Sequence, residues 1–267
     1  MKTSSLPLRS PRGDSGPARR PRWRIVAHRG NHDTNTAPEN SLAAVQAAWR
    51  TGPDAVEIDV RLTADERLVI IHDGSTGPVA DLDMIVSNCR LDELRRLTML
   101  GRDRAQAPGF RIATFDEIAA TMPDGGSLYV DVKEGPAKAD RLIARFKKRA
   151  LAPERFLFIG FDACVMAAFK KAFPRHTSFL LFEAAAMPGA IDAALAAGMD
   201  GIDIEVAAGV DAAFVNKAGS AGLQVHAWGV NTPAAAAAMR ASGVAGMTTD
   251  RPAWLRKYLN RELMIEN

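Results

Sequence analysis

Only two cysteines and two tyrosines occur among the 267 residues, and aromatic side chains make up just 6% of the chain. Cys89 and Cys164 lie 75 residues apart, without the paired spacing of a zinc site or a disulfide framework. They read as small buried or semi-buried thiols in a reducing compartment. No stretch reaches the roughly 18 uninterrupted apolar residues that a membrane-spanning helix needs. The N-terminus lacks the apolar run of a secretory signal, and its Pro and Gly residues spoil the amphipathic helix of a transit peptide. The expectation is a soluble cytoplasmic protein with no stable membrane insertion.

The pI near 9.0 does not make the body of the chain basic. Residues 1–24 carry seven Lys/Arg against one Asp, whereas the whole chain totals +3, so the remaining residues are mildly acidic on balance. This leaves no basic surface to argue for a nucleic-acid partner. Residues 1–23 have too few apolar side chains to offset the entropy of ordering and are expected to form a disordered basic tail. Residues 24–267, in a chain that is 47% hydrophobic, suffice for one domain the size of an α/β barrel.

Short apolar runs alternate with Ala-rich helical stretches from Arg24 onward, the pattern of a mostly parallel sheet with crossover helices. Nine strands are predicted: 25–28, 56–60, 68–72, 128–133, 156–160, 178–182, 201–205, 223–230 and 246–249. The link between Val60 and Leu68 is too short for a parallel crossover. Residues 68–72 therefore make an antiparallel excursion at the mouth of a (β/α)8 TIM barrel. Helices are expected near 40–50, 136–150, 162–172, 188–197, 211–220, 233–242 and 252–262, with a pair near 91–99 and 114–121. Asn40-Ser41, Thr114-Phe-Asp-Glu117 and Thr232-Pro233 supply helix starts. The irregular stretch 74–88 is expected to lie over the mouth.

Four polar segments end predicted strands: His28-Arg29-Gly30, Glu57-Ile58-Asp59, His72-Asp73 and Asp131-Val132-Lys133. Residues two apart on a strand face the same side, so Glu57 and Asp59 project together, as do Asp131 and Lys133. Three carboxylates in a small volume repel unless a cation lies between them, and an all-oxygen set favours Mg2+ or Ca2+ over zinc. Imidazole suits proton transfer near neutral pH, which makes His28 and His72 the candidate acid and base. Arg29 offers a planar fork for phosphate oxygens, and Lys133 a point charge. The constellation suits metal-assisted phosphodiester cleavage. Trp228 is a candidate packing surface for the substrate's alcohol part.

These motifs resemble the glycerophosphodiester phosphodiesterase family, marked by His-Arg, Glu-x-Asp and His-Asp, with twelve residues between Asp59 and His72. The resemblance continues through Pro38-Glu39-Asn40-Ser41, Val60 to Asp65, Trp228-Gly-Val-Asn231 and Thr249-Asp-Arg-Pro252. It implies Glu57, Asp59 and Asp131 as metal ligands, His28 and His72 as acid/base catalysts, and Arg29 and Lys133 as phosphate contacts. It implies attack by the substrate's glycerol 2-hydroxyl, a cyclic phosphate, and release of glycerol 3-phosphate and an alcohol. The small-molecule substrate would be a diester such as glycerophosphocholine or glycerophosphoethanolamine. Asp131 stands where the family usually has Glu, one methylene longer. Seven residues separate Gly30 from Pro38, about two more than usual, and Gly229 and Ala113 replace Thr and Pro.

Other readings are a barrel that cleaves lipid or lysolipid headgroups, a non-catalytic phosphodiester-binding barrel, and a tail tethered to nucleic acid or anionic membrane. The loop residues Val79, Leu82, Met84, Ile85 and Val86 carry the lipid reading, and the intact His28, His72, Glu57 and Asp59 oppose the non-catalytic one. His32 reads as a solvated loop histidine and His226 as a hydrogen-bonded barrel histidine. His176, Arg145, Lys147, Lys148 and Arg149 read as solvated surface. The alcohol, the choice of ion and the oligomeric state stay open.

Overall fold

The computed structural model describes residues 23–32, 37–101 and 103–265. The tail expected over 1–23 lies outside this range except for Trp23, which packs against the main core. The strands are β1 (Arg24–Ala27), β2 (Ala55–Leu62), β3 (Leu68–Ile70), β4 (Ser127–Val132), β5 (Phe156–Gly160), β6 (Ser178–Phe182), β7 (Gly201–Glu205), β8 (Gln224–Trp228) and β9 (Gly246–Thr249). All but β3 are parallel to their neighbours, and β1 pairs with both β2 and β9, which closes an eight-stranded barrel. β3 runs antiparallel to the C-terminal half of β2, with Val60 opposite Ile70 and Leu62 opposite Leu68. The TIM barrel with its excursion at the mouth stands as the sequence implied.

The helices are α1 (Leu42–Arg50), α2 (Leu91–Leu94), α3 (Phe115–Ala119), α4 (Pro136–Lys147), α5 (Ala163–Ala172), α6 (Ala190–Ala196), α7 (Ala212–Ser220), α8 (Pro233–Ser242) and α9 (Pro252–Ile265). Their starts obey the predicted chemistry. Thr114 and Glu117 form a reciprocal capping box on α3, and Thr232 caps α8 with Pro233 in its first turn. Ser41 alone caps α1, because the Asn40 side chain is committed to Asp59. The helix expected over 91–99 stops at Leu94. Beyond it the Thr98 N–H donates to Asp81 and Met99 bridges Ala80 in an extended pairing, so tertiary hydrogen bonds replace the helical ones.

Outward strand residues such as Ile58, Val130 and Phe158 meet the helices in the main core. Inward ones, among them Tyr129, Ile159, Phe179 and Leu181, fill the barrel. A third cluster joins Val69 and Ile71 to Val79, Val86, Leu94 and Leu97. The 74–88 segment therefore packs on its own small core; Val79 and Val86 are buried, while Leu82 and Ile85 stay exposed. His176, expected at the surface, is buried with its ring 5.4–5.5 Å from those of Phe173 and Phe158. Burial lowers its pKa, which favours the neutral ring in this aromatic nest. Arg145 and Arg149 are paired with Glu66 and Asp116. Cys89 is buried, but Cys164 is exposed, because it lies at the first residues of α5 just after its Asp162 cap.

Two inner rings fit only because a neighbouring strand offers glycine. A Cβ on Gly246 would lie 2.5 Å from the His226 ring, and one on Gly201 would lie 2.6 Å from Phe179. Replacing Gly246 with Ala is expected to cost about 1–3 kcal/mol by overpacking. Gly219, exposed in α7 with nothing within 4 Å of its would-be Cβ, should gain about 0.5–1 kcal/mol as Ala. Urea midpoints at unchanged m-value measure both.

Candidate active site

The C-terminal strand ends gather the predicted polar residues. Glu57 and Asp59 project from β2 and Asp131 from the adjacent β4, in register with Asp59. All three are buried, and each offers an oxygen within 4.8 Å of the others'. Lys133, just past β4, places Nζ 2.5 Å from Asp131 Oδ2 and 3.2 Å from Asp59 Oδ1. Arg29 Nε lies 3.3 Å from Asp59 Oδ2, and its Nη1 donates to Glu39 Oε1 at 2.8 Å. Three buried carboxylates thus meet two cations, one of which, Arg29, is shared with Glu39, so the cluster carries more acidic than basic groups.

The electrostatics reflect this imbalance. Burial, reinforced by Asp59 and Asp131, pushes the Glu57 carboxyl well above its ordinary range. Burial likewise lifts Asp131 to about 6, despite the opposing pull of Lys133. For Asp59 burial acts upward, but Lys133 and Arg29 together outweigh it and hold the group below its usual value. Asp131 Oδ1 is buried without a hydrogen-bond partner among the described residues. An orphaned buried oxygen inside an all-carboxylate cluster fits a hard divalent cation, so the residues present can hold such an ion.

The two histidines approach from different directions. His28 comes just after β1 in a tight turn where Arg29 has φ 53° and Gly30 φ 92°. Gly30 is required twice over, because a Cβ there would lie 2.6 Å from the Ala44 backbone. Arg29 tolerates the left-handed conformation, at about 1–3 kcal/mol of strain, while its N–H donates to Glu57 Oε2 at 3.0 Å. His72 comes just after β3, so the excursion is what brings the second imidazole to the mouth. Burial, with Arg29 and Lys133 adding to it and Asp59 opposing, lowers the His72 pKa.

Several functional neighbours escaped the sequence reading. Asp250, just past β9, places Oδ1 2.6 Å from His28 Nδ1, and its Oδ2 accepts from Asn231 Nδ2 at 2.9 Å. Asn231 Oδ1 in turn accepts from Thr249 Oγ1 and the Asp250 N–H. His32 is buried, with Nε2 3.8 Å from Asp250 Oδ1, and is not the solvated loop histidine expected of its polar neighbourhood. Asp203 is buried on β7, pushed up to about 8 by burial and by Asp131. Its strand, Gly201-Ile-Asp203-Ile-Glu205, repeats the apolar-acid alternation of Glu57-Ile-Asp59, which was the available signal. His226 is the buried barrel histidine expected, its Nδ1 3.4 Å from the Tyr129 hydroxyl. Trp228 donates from Nε1 to Phe182 O and lies edge-on to Phe161.

A cavity of about 400 Å³ is lined by His28, Arg29, Glu57, His72, Asp131 and Lys133, together with Asp203 and Trp228. A second cavity of about 310 Å³, lined by Glu39, Leu100, Arg104 and Asp250, shares His28 and Arg29 with the first.

Residues 28–254 match the model of the glycerophosphoryl diester phosphodiesterase family. The chain belongs to that family. Its reaction class is accordingly the hydrolysis of glycerophosphodiesters. A glycerophosphodiester phosphodiesterase of Caldanaerobacter subterraneus is 30% identical over 60% of this chain and 66% of its own length. Another, from Bacillus subtilis, is 24% identical over 85% of this chain and 83% of its own. The fold matches an Oleispira antarctica phosphodiesterase, solved in complex with the product sn-glycerol-3-phosphate, with a TM-score of 0.78 at 23% identity, covering 89% of this chain and 96% of that one. Among the described residues no helix is long and apolar enough to cross a membrane.

The raised carboxyls give the cluster a pH signature. Asp131 titrates near 6 in the folded chain and near 3.9 when unfolded, so protonating it stabilises the ion-free fold as pH falls through 6 and the stabilisation is lost as pH rises. Mg2+ at a hundredfold excess over its Kd should add about 2.7 kcal/mol, or about 5–10 °C in Tm. Calorimetry with ion and with chelator should show this gap at pH 7.5 and a smaller one at pH 5.

Proposed function

We propose that Glu57, Asp59 and Asp131 hold one divalent ion, Mg2+ or Ca2+, and that His28 and His72 exchange protons with a glycerophosphodiester bound beside it. The observation that carries this reading is a cavity wall that joins two imidazoles, two cations and the carboxylates of Glu57 and Asp131, with Asp59 buried within 4.8 Å of both. When bound, the ion lowers the pKa of a substrate hydroxyl and neutralises developing charge.

The two cavities meet at His28 and Arg29, which suits a phosphodiester with one arm in each. Glu57 and Asp131 line only the first cavity, so the glycerol arm, which carries the nucleophilic 2-hydroxyl, belongs there and the alcohol arm in the second. Arg29 and Lys133 hold the non-bridging oxygens. His72, held neutral by its lowered pKa, takes the proton of the attacking hydroxyl, and His28 protonates the leaving alkoxide. Asp250 positions His28: with Nδ1–H given to the carboxylate, Nε2 is left facing the cavity, 4.0 Å from Glu57 Oε2. The cyclic phosphate is then opened by water with the two roles reversed, giving glycerol 3-phosphate. Free thiols at Cys89 and Cys164 are consistent with a cytoplasmic setting.

His72→Ala is expected to lower kcat by about 10²–10⁴-fold with KM little changed, measured as glycerol 3-phosphate released from glycerophosphocholine with Mg2+, with Ca2+ and with chelator. Undiminished turnover in that variant would remove His72 from the reaction. A base with a lowered pKa stays deprotonated further into acid, so the acid limb of kcat/KM should lie below the ordinary imidazole value of about 6.5. Asp250→Asn should lower kcat through His28 and reshape that pH profile, leaving KM nearly unaltered.

A further inference from the structure

Two buried polar atoms on the cavity wall have no role in the proton and metal chemistry above. Asp203, on β7, is 1% exposed and Thr248, on β9, is 3% exposed, and both line the larger cavity. Asp203 Oδ1 and Thr248 Oγ1 have no hydrogen-bond partner among the described residues. Buried polar atoms are nearly always paired, and two on one cavity call for a ligand that pairs with both. They flank β8, where Thr248 lies in register with Trp228 and Asp203 with His226. Trp228 is pinned by its bond to Phe182 O, and Ile159 and Leu181 make the adjoining wall apolar. Of the other two such atoms on this cavity, Arg29 Nε lies against Asp59 Oδ2 and Asp131 Oδ1 is accounted for by the ion.

A carboxyl group and a hydroxyl lining one cavity from the strands on either side of β8 can be bridged by one alcohol group, which donates to the carboxyl oxygen and accepts from the threonine. The glycerol arm has one hydroxyl to spare once its 2-hydroxyl attacks phosphorus, the one on the carbon remote from the phosphate. We propose that Asp203 and Thr248 form a hydroxyl-binding floor for this remote glycerol hydroxyl, and so select deacylated glycerophosphodiesters over lysophospholipids. The proposal rests on the glycerol arm occupying the larger cavity. An acyl ester at that oxygen removes the donor and brings a chain that the walls around Trp228 must admit, leaving both buried groups unpaired.

Three substrates test the floor: glycerophosphocholine, propane-1,2-diol phosphocholine, which keeps the nucleophilic hydroxyl and lacks the remote one, and 1-acyl lysophosphatidylcholine. The wild type should favour the first over each of the others by at least about tenfold in kcat/KM. Thr248→Val and Asp203→Asn should each lose about tenfold on glycerophosphocholine, mostly through KM, and change little on the propanediol substrate. Equal losses on all three substrates would mean a structural role and overturn the proposal, as would a wild type indifferent to the remote hydroxyl. Calorimetric binding of sn-glycerol 3-phosphate against propane-1,2-diol phosphate reads the floor in the wild type without turnover, even where a variant fails to fold. Discrimination in binding with no turnover of any diester would sink the phosphodiesterase roles and leave the floor standing. Turnover without discrimination would do the reverse.

Discussion

Like-charge repulsion among three buried carboxylates is the constraint around which the mouth of this barrel is built. Glu57, Asp59 and Asp131 come within 4.8 Å of one another in a place from which water is largely withdrawn. Two of them respond by holding their protons more tightly, and the third stays charged only because Lys133 and Arg29 press against it. Asn40 adds a donated hydrogen bond to Asp59, which explains why it leaves the capping of α1 to Ser41. An arrangement so costly without a cation is one that a divalent ion and an anionic diester complete electrostatically.

The scaffold solves the positional part of the problem by strand register. Parallel neighbours β2 and β4 place Asp59 beside Asp131, so two carboxylates from different parts of the sequence arrive at one height. The excursion through β3 has a different task. It returns the chain to the mouth with His72 on it, and its outer face carries a small core of Val69, Ile71, Val79 and Leu94 that fixes the 74–88 segment. An apolar segment that looks from its composition like a lipid-seeking loop is largely spent on that core, with Leu82 and Ile85 left outside.

Much of the barrel was legible because its strands are short apolar runs and several crossover helices open on a capping residue, as at Ser41, Thr114 and Thr232. The excursion was legible from loop length alone, since seven residues cannot carry a parallel crossover. The site residues that the sequence named share a local pattern, an acid or base at the end of a run. Asp250 also ends a predicted strand, but nothing local pairs it with His28; that comes from closure of the barrel seam, which sets β9 against β1. His32 and His176 were misjudged for a related reason. Their immediate neighbours are polar, and what buries them is contributed by distant segments such as Phe158 and the Asp250 turn. The helix over 91–99 failed because bonds to Asp81 and Ala80 outcompete a marginal helix.

The bond between His28 and Asp250 joins residues 222 positions apart, the first strand end to the last. His28 follows the first strand and Asp250 the ninth, so the dyad cannot form on a nascent chain that still lacks β9. The pairing of β9 with β1 is what brings Asp250 to His28, and a chain cut before β9 would keep Glu57, Asp59 and Asp131 but lose the carboxylate that orients His28.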